Sequence, residues 1–356
     1  SRVATRLARC PLAVARVCSS GTPVSRSRVT SGALTNSVVE PGSGGSDTIT
    51  GGAGADTMSG GTGDDRFVLG SVLDATGDSI DGGSGTDTIF YTGLAAANLV
   101  LGVTVFVDKI TIGSLAGSTA GIGAINVDAS AMTVGVTITG NAGANILKGS
   151  ATGENVLIGG AGKDTLTGGA GNDDFMLASI AHFAAGESMD GGAGTGDELI
   201  YTGGLGTLLL TANVDNIEMV TLTNQTANIN INAAAVTNGM YLSGNNGNNV
   251  LTGTGFNDTL NGSDGNDTLK GGAGDDSSFG GNGNDIFVVA AGTDHGVADV
   301  MDGGDGNDTV RFTSTTAAQT LTLNATDVDL ETVVIGNAAG VTTGTRDSTA
   351  FRKYGA

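Results

Sequence analysis

Single large apolar residues recur every nine positions early in the chain, at Ile49, Met58 and Phe67. Each sits between polar or smaller residues, as in T-I-T, T-M-S and R-F-V, and six mostly small or polar residues separate one triplet from the next. Apolar and polar positions that alternate over a few residues are typical of a short strand with one buried face. The pattern therefore predicts very short β-strands, each placing one side chain in an interior, joined by glycine-rich turns.

The nine-residue unit has the form G-G-x-G-x-D-x-U-x, where U is the large apolar residue. In residues 51–59 it reads G-G-A-G-A-D-T-M-S. Glycines permit positive φ, so the turn can bend tightly and aim its carbonyl groups at one point, and Asp56 adds a carboxylate. A Ca²⁺ ion takes six to eight oxygen ligands at about 2.3–2.6 Å. One turn offers about half that number, so we expect several Ca²⁺ ions, each shared between stacked turns.

The units resemble the nonapeptide repeats of the repeats-in-toxin (RTX, hemolysin-type) calcium-binding proteins of bacteria. The resemblance implies an all-β fold, a parallel β-roll or β-solenoid with calcium-bound turns and the U side chains inside. It also implies an extracellular protein exported by type I secretion, unfolded, from a cytosol low in calcium.

A longer repeat is superimposed on the nonapeptides. Phe67, Phe175 and Phe287 each end a nonapeptide block and lie 108 and 112 residues apart. Each block precedes one isolated unit and then a stretch rich in Thr, Val, Ile and Asn, such as 97–139 and 208–242, which we interpret as coils that need no metal. The predicted organisation is three tandem copies of about 110 residues between two basic ends, with boundaries at 1–39 (lead), 40–139, 140–243, 244–345 and 346–356 (tail).

The aspartates of the units are the candidate metal ligands: Asp47, Asp56, Asp65, Asp87, Asp164, Asp173, Asp197, Asp258, Asp267, Asp276, Asp285 and Asp308. Turn propensity alone gives no reason for a nine-residue period, which favours metal in the blocks. The isolated units at Asp87, Asp197 and Asp308 are equally well explained as ordinary Gly-Asp turns. An extra residue before Asp197 also puts the ligand geometry of that unit in doubt.

Several positions depart from the motif. Asn145 and Asn155 stand where aspartate is expected, so those turns should bind Ca²⁺ weakly or not at all. Ser278 occupies a U position; either Phe279 rotates inward or that coil is underpacked. The aspartates that open the isolated units either add a carboxylate to the following turn or hydrogen-bond a turn amide; they are Asp81, Asp190 and Asp302.

The charge and composition of the chain restrict the partners and the kinds of protein that are expected. Residues 40–345 carry 35 acidic and six basic residues, a net charge of −29, which excludes nucleic acid as a partner and favours cations. The Arg-rich, acid-free lead has the composition of an organellar transit peptide or of a segment unrelated to the fold. Cys10 and Cys18 both lie in it, so no disulfide framework supports the repeats. No apolar run is long enough to span a membrane.

Catalytic motifs are missing from the sequence, which has no H-E-x-x-H and no G-x-S-x-G, and we expect His182 and His295 to be solvated loop residues. The leading hypothesis is a non-enzymatic extracellular calcium-binding module, structural or adhesive or part of a surface layer. Its partners would be calcium ions and cell-surface or matrix components or further copies of the chain. The alternative is the repeat portion of a larger secreted protease, lipase, epimerase or toxin. A flat ice- or glycan-binding face is disfavoured because the turn positions vary among Ala, Thr, Ser, Asn and Asp.

Overall fold

The computed structural model describes the backbone of residues 16–18, 28–30 and 38–40, and residues 44–336 apart from 73–74, 76, 94, 102, 114–122, 184–186, 225 and 315–318. Cys10 and the predicted tail at 346–356 lie outside the described residues. The part of the chain that is described consists of β-strands and turns without an α-helix. Accordingly, it holds no helix that is long and apolar enough to cross a membrane.

The chain divides into two compact units, residues 1–153 and 154–356. The strands of the first unit are short. They are β1 (Arg16–Cys18), β2 (Arg28–Thr30), β3 (Val38–Glu40), β4 (Thr48–Thr50), β5 (Thr57–Thr62), β6 (Arg66–Leu69), β7 (Ser79–Ser84), β8 (Thr88–Tyr91), β9 (Ala97–Val100), β10 (Val103–Val105), β11 (Lys109–Ile112), β12 (Ile125–Asp128), β13 (Thr137–Thr139) and β14 (Ile146–Lys148).

Strands close in sequence alternate between sheets in this unit. One series runs β1-β3-β5-β7-β10, a second runs β2-β4-β6-β8-β11-β13, and a third runs β9-β12-β14. The pairings within the series are parallel, for example β4 with β6 and β5 with β7. A chain that visits one sheet, turns, visits the other and returns beside its starting strand is a coil, so the unit is a parallel β-solenoid.

The described residues of the second unit form eighteen strands on the same plan. They are β15 (Val156–Ile158), β16 (Thr165–Gly169), β17 (Asp174–Leu177), β18 (Ser188–Gly192), β19 (Glu198–Tyr201), β20 (Gly206–Leu209), β21 (Val214–Asp215), β22 (Met219–Leu222), β23 (Ile229–Asn232), β24 (Tyr241–Ser243), β25 (Val250–Thr252), β26 (Thr259–Asp264), β27 (Thr268–Lys270), β28 (Ser277–Asn282), β29 (Ile286–Val289), β30 (Val300–Asp305), β31 (Thr309–Phe312) and β32 (Thr332–Ile335).

Three series of strands also form the second unit. They run β15-β17-β19-β22-β24-β26-β28-β30, then β16-β18-β21, and β20-β23-β25-β27-β29-β31-β32. The pairings are again parallel, as in β25 with β27 and β26 with β28. The predicted all-β, parallel solenoid is therefore confirmed, whereas the boundaries drawn for three sequence copies stay a prediction.

Strand register shows why the nonapeptide produces a coil. Ile49 pairs with Phe67, and Leu251 pairs with Leu269, which in turn pairs with Phe287. Paired residues are eighteen apart, so two nonapeptides make one complete coil. Since side chains alternate between the two faces of a strand, the U residue of every unit points to the same interior.

The interior is a stack of these apolar side chains. Ile49, Phe67, Leu251 and Leu260 have no exposed surface. The Thr/Val/Asn-rich stretches build coils in the same way: Ile110 pairs with Ile138 and both are fully buried. The interpretation of these stretches as further coils is thereby confirmed.

Ser278 faces the interior of its coil, with 5% of its surface exposed, while Phe279 faces outward and is 38% exposed. Strand β28 keeps its register with β26, pairing Leu260 with Ser278, so Phe279 cannot turn inward without a one-residue slip. A cavity of about 20 Å³ lies beside Ser278 and is lined by Phe287 and Met301 and by polar residues that include Asp276 and His295. Of the two alternatives for this coil, the structure shows underpacking.

Candidate metal-binding turns

Every predicted ligand aspartate is buried in a turn between two strands. Their exposed fractions are 5% or less; the residues are Asp47, Asp56, Asp65, Asp87, Asp164, Asp173, Asp197, Asp258, Asp267, Asp276, Asp285 and Asp308. Charged side chains are almost never buried to this degree unless a partner compensates the charge. The turns bring these carboxylates together in columns along the solenoid, one per coil on a given edge.

One oxygen of most column carboxylates accepts a backbone N–H of the preceding coil. The N–H of Asp47 donates to Asp65 Oδ1 at 2.7 Å, and the N–H of Asp65 donates to Asp87 Oδ1 at 2.8 Å. In the second unit the N–H of Asp267 donates to Asp285 Oδ1 and that of Asp285 donates to Asp308 Oδ1, each at 2.7 Å. The carboxylates therefore cross-link successive coils through their backbone amides, in one direction along the chain.

The second oxygen of many of these carboxylates is buried without a hydrogen-bond donor. This holds for Oδ2 of Asp65, Asp87, Asp173, Asp197, Asp267, Asp276, Asp285 and Asp308. A buried carboxylate oxygen that no donor contacts is costly, because it has lost water and gained nothing. Each of these oxygens therefore requires a cation or a proton to compensate its negative charge.

Main-chain carbonyl oxygens face the same space as these Oδ2 atoms. A methyl group added at Gly262 would collide with both Asp267 Oδ2 and the carbonyl oxygen of Gly280 in the next coil. A methyl group added at Gly60 would likewise collide with Asp65 Oδ2 and with the carbonyl oxygen of Gly82. Two acceptors with no hydrogen between them repel, whereas a hard cation between them satisfies both. The oxygens therefore fit a Ca²⁺ ion.

Close coil stacking explains the glycines. Gly281 and Gly283 have φ of 103° and 138°, conformations that side chains with a Cβ rarely adopt. A methyl group at Gly283 would also collide with the carbonyl oxygen of Gly265 in the coil before it. Glycine is thus required twice, for the backbone conformation and for the approach of neighbouring turns.

The electrostatics of the columns favour protonation or a cation. Burial, together with the nearby carboxylates of Asp285 and Asp264, raises the pKa of Asp267 to about 7. Burial, with Asp258, Asp299 and Asp275 as the charged neighbours, raises the pKa of Asp276 to about 7. Burial with neighbouring carboxylates likewise raises the pKa values of Asp65, Asp197 and Asp285 to about 6. Near neutral pH the columns hold negative charge that the fold alone does not compensate.

A family model described as RTX calcium-binding nonapeptide repeat (4 copies) matches residues 41–71, 75–93, 150–178, 243–278, 252–287, 267–295 and 298–311. The chain carries RTX calcium-binding repeats. The matched segments contain every predicted ligand aspartate except Asp197, so the resemblance seen in the nine-residue pattern is confirmed. A comparison of the sequence with curated proteins found no match.

Asparagine replaces aspartate in some RTX turns, and there its own side-chain amide donates a hydrogen bond to a main-chain carbonyl oxygen. Asn249 Nδ2 donates to the carbonyl oxygen of Ile229 at 2.6 Å, and Asn145 Nδ2 donates to that of Ile125 at 2.8 Å. The amide N–H₂ thus contacts carbonyl oxygens directly. For Asn145 this supports the expectation that such a turn binds Ca²⁺ weakly or not at all, whereas Asn155 Nδ2 donates instead to Asp173 Oδ1 at 2.8 Å.

Asp258 differs from the other block aspartates. Its Oδ2 accepts hydrogen bonds from Thr254, from the backbone N–H at 2.5 Å and from the hydroxyl at 3.0 Å. Thr254 stands at the second position of its unit, where most RTX units have glycine. The sequence pattern predicts Asp258 and Asp267 alike as metal ligands. The structure shows that hydrogen-bond donors of the protein already satisfy Asp258.

The extra residue in the Asp197 unit does not displace its carboxylate. The N–H of Asp173 donates to Asp197 Oδ1 at 2.7 Å, as in the regular turns. Asp190, which opens the same isolated unit, makes a different contact. Its Oδ1 accepts hydrogen bonds from the N–H of Gly192 at 3.1 Å and from Asn216 Nδ2 at 2.8 Å. For Asp190 the turn-amide alternative is therefore the observed one.

Sequence reasoning missed acidic residues in the connectors. Asp78, Glu187 and Asp299 are 4%, 3% and 2% exposed. Asp78 Oδ1 accepts the N–H of Asp56 at 2.8 Å, and Asp299 Oδ1 accepts that of Asp276 at 3.0 Å, so both extend a column. The signal was present as D-S-I-D, E-S-M-D and D-V-M-D, which keep the spacing from acid to U but lack the glycines.

His295 was also misjudged as solvated. It is 6% exposed and lies between two carboxylates, with Nδ1 3.4 Å from Asp299 Oδ2 and Nε2 3.0 Å from Asp327 Oδ2. Across the described ranges, no group of three Asp, Glu, His or Cys side chains is placed to hold a metal ion. The oxygens that converge in the turns are instead one carboxylate with main-chain carbonyls.

Proposed function

We propose that the chain is a secreted RTX module that folds when it meets extracellular Ca²⁺ and acts as a structural, adhesive or surface-layer element without catalytic activity. The observation that carries this proposal is the set of fully buried Oδ2 atoms, such as those of Asp267 and Asp285, that face carbonyl oxygens and no donor. Residues in the repeated turns would hold the ions, and the ions would supply the positive charge that the turns lack.

Folding and binding are coupled by this arrangement. In the unfolded chain each carboxylate is hydrated and distant from the others, whereas in the solenoid they stack in successive coils. A ligand that binds the folded state alone stabilises it in proportion to the logarithm of its concentration. Because every column contains several carboxylates, the stabilisation accumulates along the solenoid, and calcium acts as a condition for folding.

An extracellular location agrees with the calcium affinity that is expected of these turns. Ca²⁺ sites of extracellular modules typically bind at about 10⁻⁴–10⁻³ M, far above the concentrations that cytosolic sensors detect. The net charge of −29 over residues 40–345 opposes compaction where calcium is scarce. The chain would therefore stay extended before export and become compact afterwards.

A structural or adhesive role is supported by what the repeats contain. The buried aspartates of the nonapeptide units lie in turns, and their positions are set by coil stacking. The expected partners are therefore cell-surface or matrix components or a second copy of the chain. The full reading frame distinguishes a free-standing module from the repeat portion of a larger secreted enzyme.

Calcium titration of the purified chain tests the proposal. Circular dichroism should show a largely disordered chain in EGTA and a β-rich chain at millimolar Ca²⁺, and calorimetry should show several ions bound with the heat of coupled folding. Mg²⁺ at the same concentration is the control. A β-rich spectrum that excess EGTA leaves unchanged would contradict the proposal. Export is tested separately, by labelling intact source cells and their medium with an antibody to the repeats.

A further inference from the structure

Each isolated nonapeptide is followed by a coil whose turn is shortened to three residues: 106–108, 216–218 and 329–331. Around the first of them, Val105 pairs with Asp81, just before Gly82, and Lys109 pairs with Thr88, just after Asp87. The six residues from Gly82 to Asp87 are thus matched by three. These short turns have no G-G-x-G-x-D motif, and nothing in the sequence pattern marked them as ligands.

The first residue of each short turn has a left-handed backbone. Phe106, Asn216 and Asp329 have φ of 52°, 51° and 51°. Asparagine and aspartate tolerate this conformation, but for a bulky residue such as phenylalanine it is uncommon and costs free energy. The same backbone at three equivalent positions, including one where the residue type disfavours it, indicates that the direction of the carbonyl group matters.

Those carbonyl groups point at the isolated units. A methyl group added at Gly82 would collide with the carbonyl oxygen of Phe106 and would lie 2.7 Å from Asp87 Oδ2. At Gly191 the corresponding atoms are the carbonyl oxygen of Asn216 and Asp197 Oδ2, and at Gly303 they are that of Asp329 and Asp308 Oδ2. The left-handed residue therefore takes the place that a glycine carbonyl has in the regular blocks.

The last residue of each short turn is an acid that continues the carboxylate column. The N–H of Asp87 donates to Asp108 Oδ2 at 2.6 Å, that of Asp197 donates to Glu218 Oε2 at 2.9 Å, and that of Asp308 donates to Glu331 Oε2 at 2.7 Å. The acid is aspartate once and glutamate twice, so the carboxylate is kept while the side-chain length varies.

An unsatisfied atom lies at the centre of each arrangement. Asp87, Asp197 and Asp308 have no exposed surface, and the Oδ2 atom of each lacks a donor. Burial and neighbouring carboxylates raise the pKa of all three, with Asp108, Glu218 and Glu331 among those neighbours. A short turn that served only to end a block would need an acid to accept the last buried N–H, but it would not need an inward carbonyl beside an Oδ2 that no donor contacts.

We propose that the short turns 106–108, 216–218 and 329–331 each complete a terminal Ca²⁺ site on the preceding isolated nonapeptide. Each turn supplies the carbonyl oxygen of its left-handed residue and the charge of the acid two residues later. The inference rests on the proposed calcium function and adds three sites, with ligands outside the nonapeptide motif. It also favours metal over an ordinary turn for the isolated units.

Equilibrium dialysis of the full chain against radioactive Ca²⁺ tests this inference. Glu218→Gln keeps an oxygen that accepts the N–H of Asp197 but removes the charge. It should lose one bound ion, or bind that ion at least about tenfold more weakly, as is usual when a metal-site partner is removed. The triple variant D108N/E218Q/E331Q should lose three. Asp215→Asn is the matched control, since Asp215 is an exposed acid in the same coil and should leave the number of ions unchanged.

Circular dichroism at saturating Ca²⁺ accompanies each measurement. The inference predicts that E218Q reaches the wild-type β spectrum with one ion fewer. Unchanged stoichiometry and affinity in the triple variant would overturn it, and so would an E218Q chain that stays unfolded at saturating calcium, because Glu218 would then act independently of metal. If the wild-type chain bound no calcium, the proposed function itself would fail, which is a distinct result.

Discussion

The backbone N–H of Asp267 donates a 2.7 Å hydrogen bond to Oδ1 of Asp285, eighteen residues further along the chain. One carboxylate oxygen of Asp285 is thus a structural acceptor, while the other, Oδ2, is buried without a donor. The same residue therefore joins two coils and destabilises them when no cation is present. This division between the two oxygens governs how the columns respond to amide substitution and to pH.

Replacing Asp267 and Asp285 by asparagine should make folding less dependent on calcium. Asparagine keeps an oxygen for the coil-to-coil hydrogen bond, and its N–H₂ can contact the facing carbonyl oxygen, as Asn249 Nδ2 does with Ile229. We expect a larger folded fraction in EGTA by circular dichroism, with a gain on the order of 1 kcal/mol per position, and fewer ions bound.

Asp275→Asn is the control for that pair, because Asp275 precedes Asp276 in its turn but is exposed. It should change neither the folded fraction in EGTA nor the number of ions appreciably. A double variant D267N/D285N that is less folded in EGTA than the wild-type chain would show that buried charge is not what opposes folding.

Acid should partly replace calcium in the metal-free chain. Burial raises the pKa of Asp267 and of Asp276 from an ordinary 3.8 to about 7, so the folded state holds these protons more tightly than the unfolded state. Stability is then greatest below about pH 4 and falls as the pH rises towards about 7. Circular dichroism of the chain, freed of metal on a chelating resin, should show more β structure at about pH 4.5 than at about pH 8.

With saturating calcium the pH dependence should reverse. Protons and Ca²⁺ compete for the same carboxylates, so apparent calcium affinity increases with pH over the window in which Asp267 and Asp276 lose their protons. Metal-free chain that is less folded at acidic than at alkaline pH would contradict the raised pKa values.

Filling the cavity beside Ser278 should stabilise the second unit. Ser278 faces the interior next to a cavity of about 20 Å³, so Ser278→Val adds apolar volume and removes a buried hydroxyl. Cavity-filling changes of this kind typically contribute about 0.5–2 kcal/mol. Thermal unfolding at saturating Ca²⁺ measures the gain. Phe279→Thr is the neighbouring control on the outward face and should change stability by about 0.5 kcal/mol or less; a lower melting temperature for S278V would mean that the coil is already fully packed.

Gly283→Ala should be severely destabilising. Gly283 has a φ of 138°, and a methyl group there collides with the carbonyl oxygen of Gly265. The strained backbone alone costs about 1–3 kcal/mol, and separating the coils adds to it. Gly255→Ala is the matched control, since nothing lies within 4 Å of its added methyl group. Urea unfolding at saturating Ca²⁺ should separate the two variants clearly, and equal midpoints would refute this explanation of the glycine pattern.

Much of the solenoid fold can be predicted from the sequence because each nine-residue unit specifies its own turn and strand. The spacing of Ile49, Met58 and Phe67 fixes which side chains point inward, and a period of nine with two strands per coil leaves few alternatives to a stack. Ser278 shows the strength of that register, because the backbone keeps a serine inside and leaves Phe279 outside.

What the sequence could not supply is contact between distant turns. Asp78 and Asp108 extend columns that begin at Asp56 and Asp47, yet neither lies in a glycine-rich unit, and their partners are 22 and 21 residues away. Asp258 keeps the nine-residue period of its block but is satisfied by Thr254, a fact that depends on side-chain orientation. The pattern of a single unit predicts where a turn lies. Whether the oxygens of that turn have hydrogen-bond donors depends on the neighbouring coils.

The column hydrogen bonds give the solenoid a polarity. A coil that loses its C-terminal neighbour is left with a buried N–H lacking an acceptor, whereas one that loses its N-terminal neighbour merely has a spare acceptor. The two ends of a block are therefore not equivalent, and the end that requires closure is the one where Asp108, Glu218 and Glu331 stand. Shortening or lengthening such an array is tolerated only when each run of coils keeps its own closing acid.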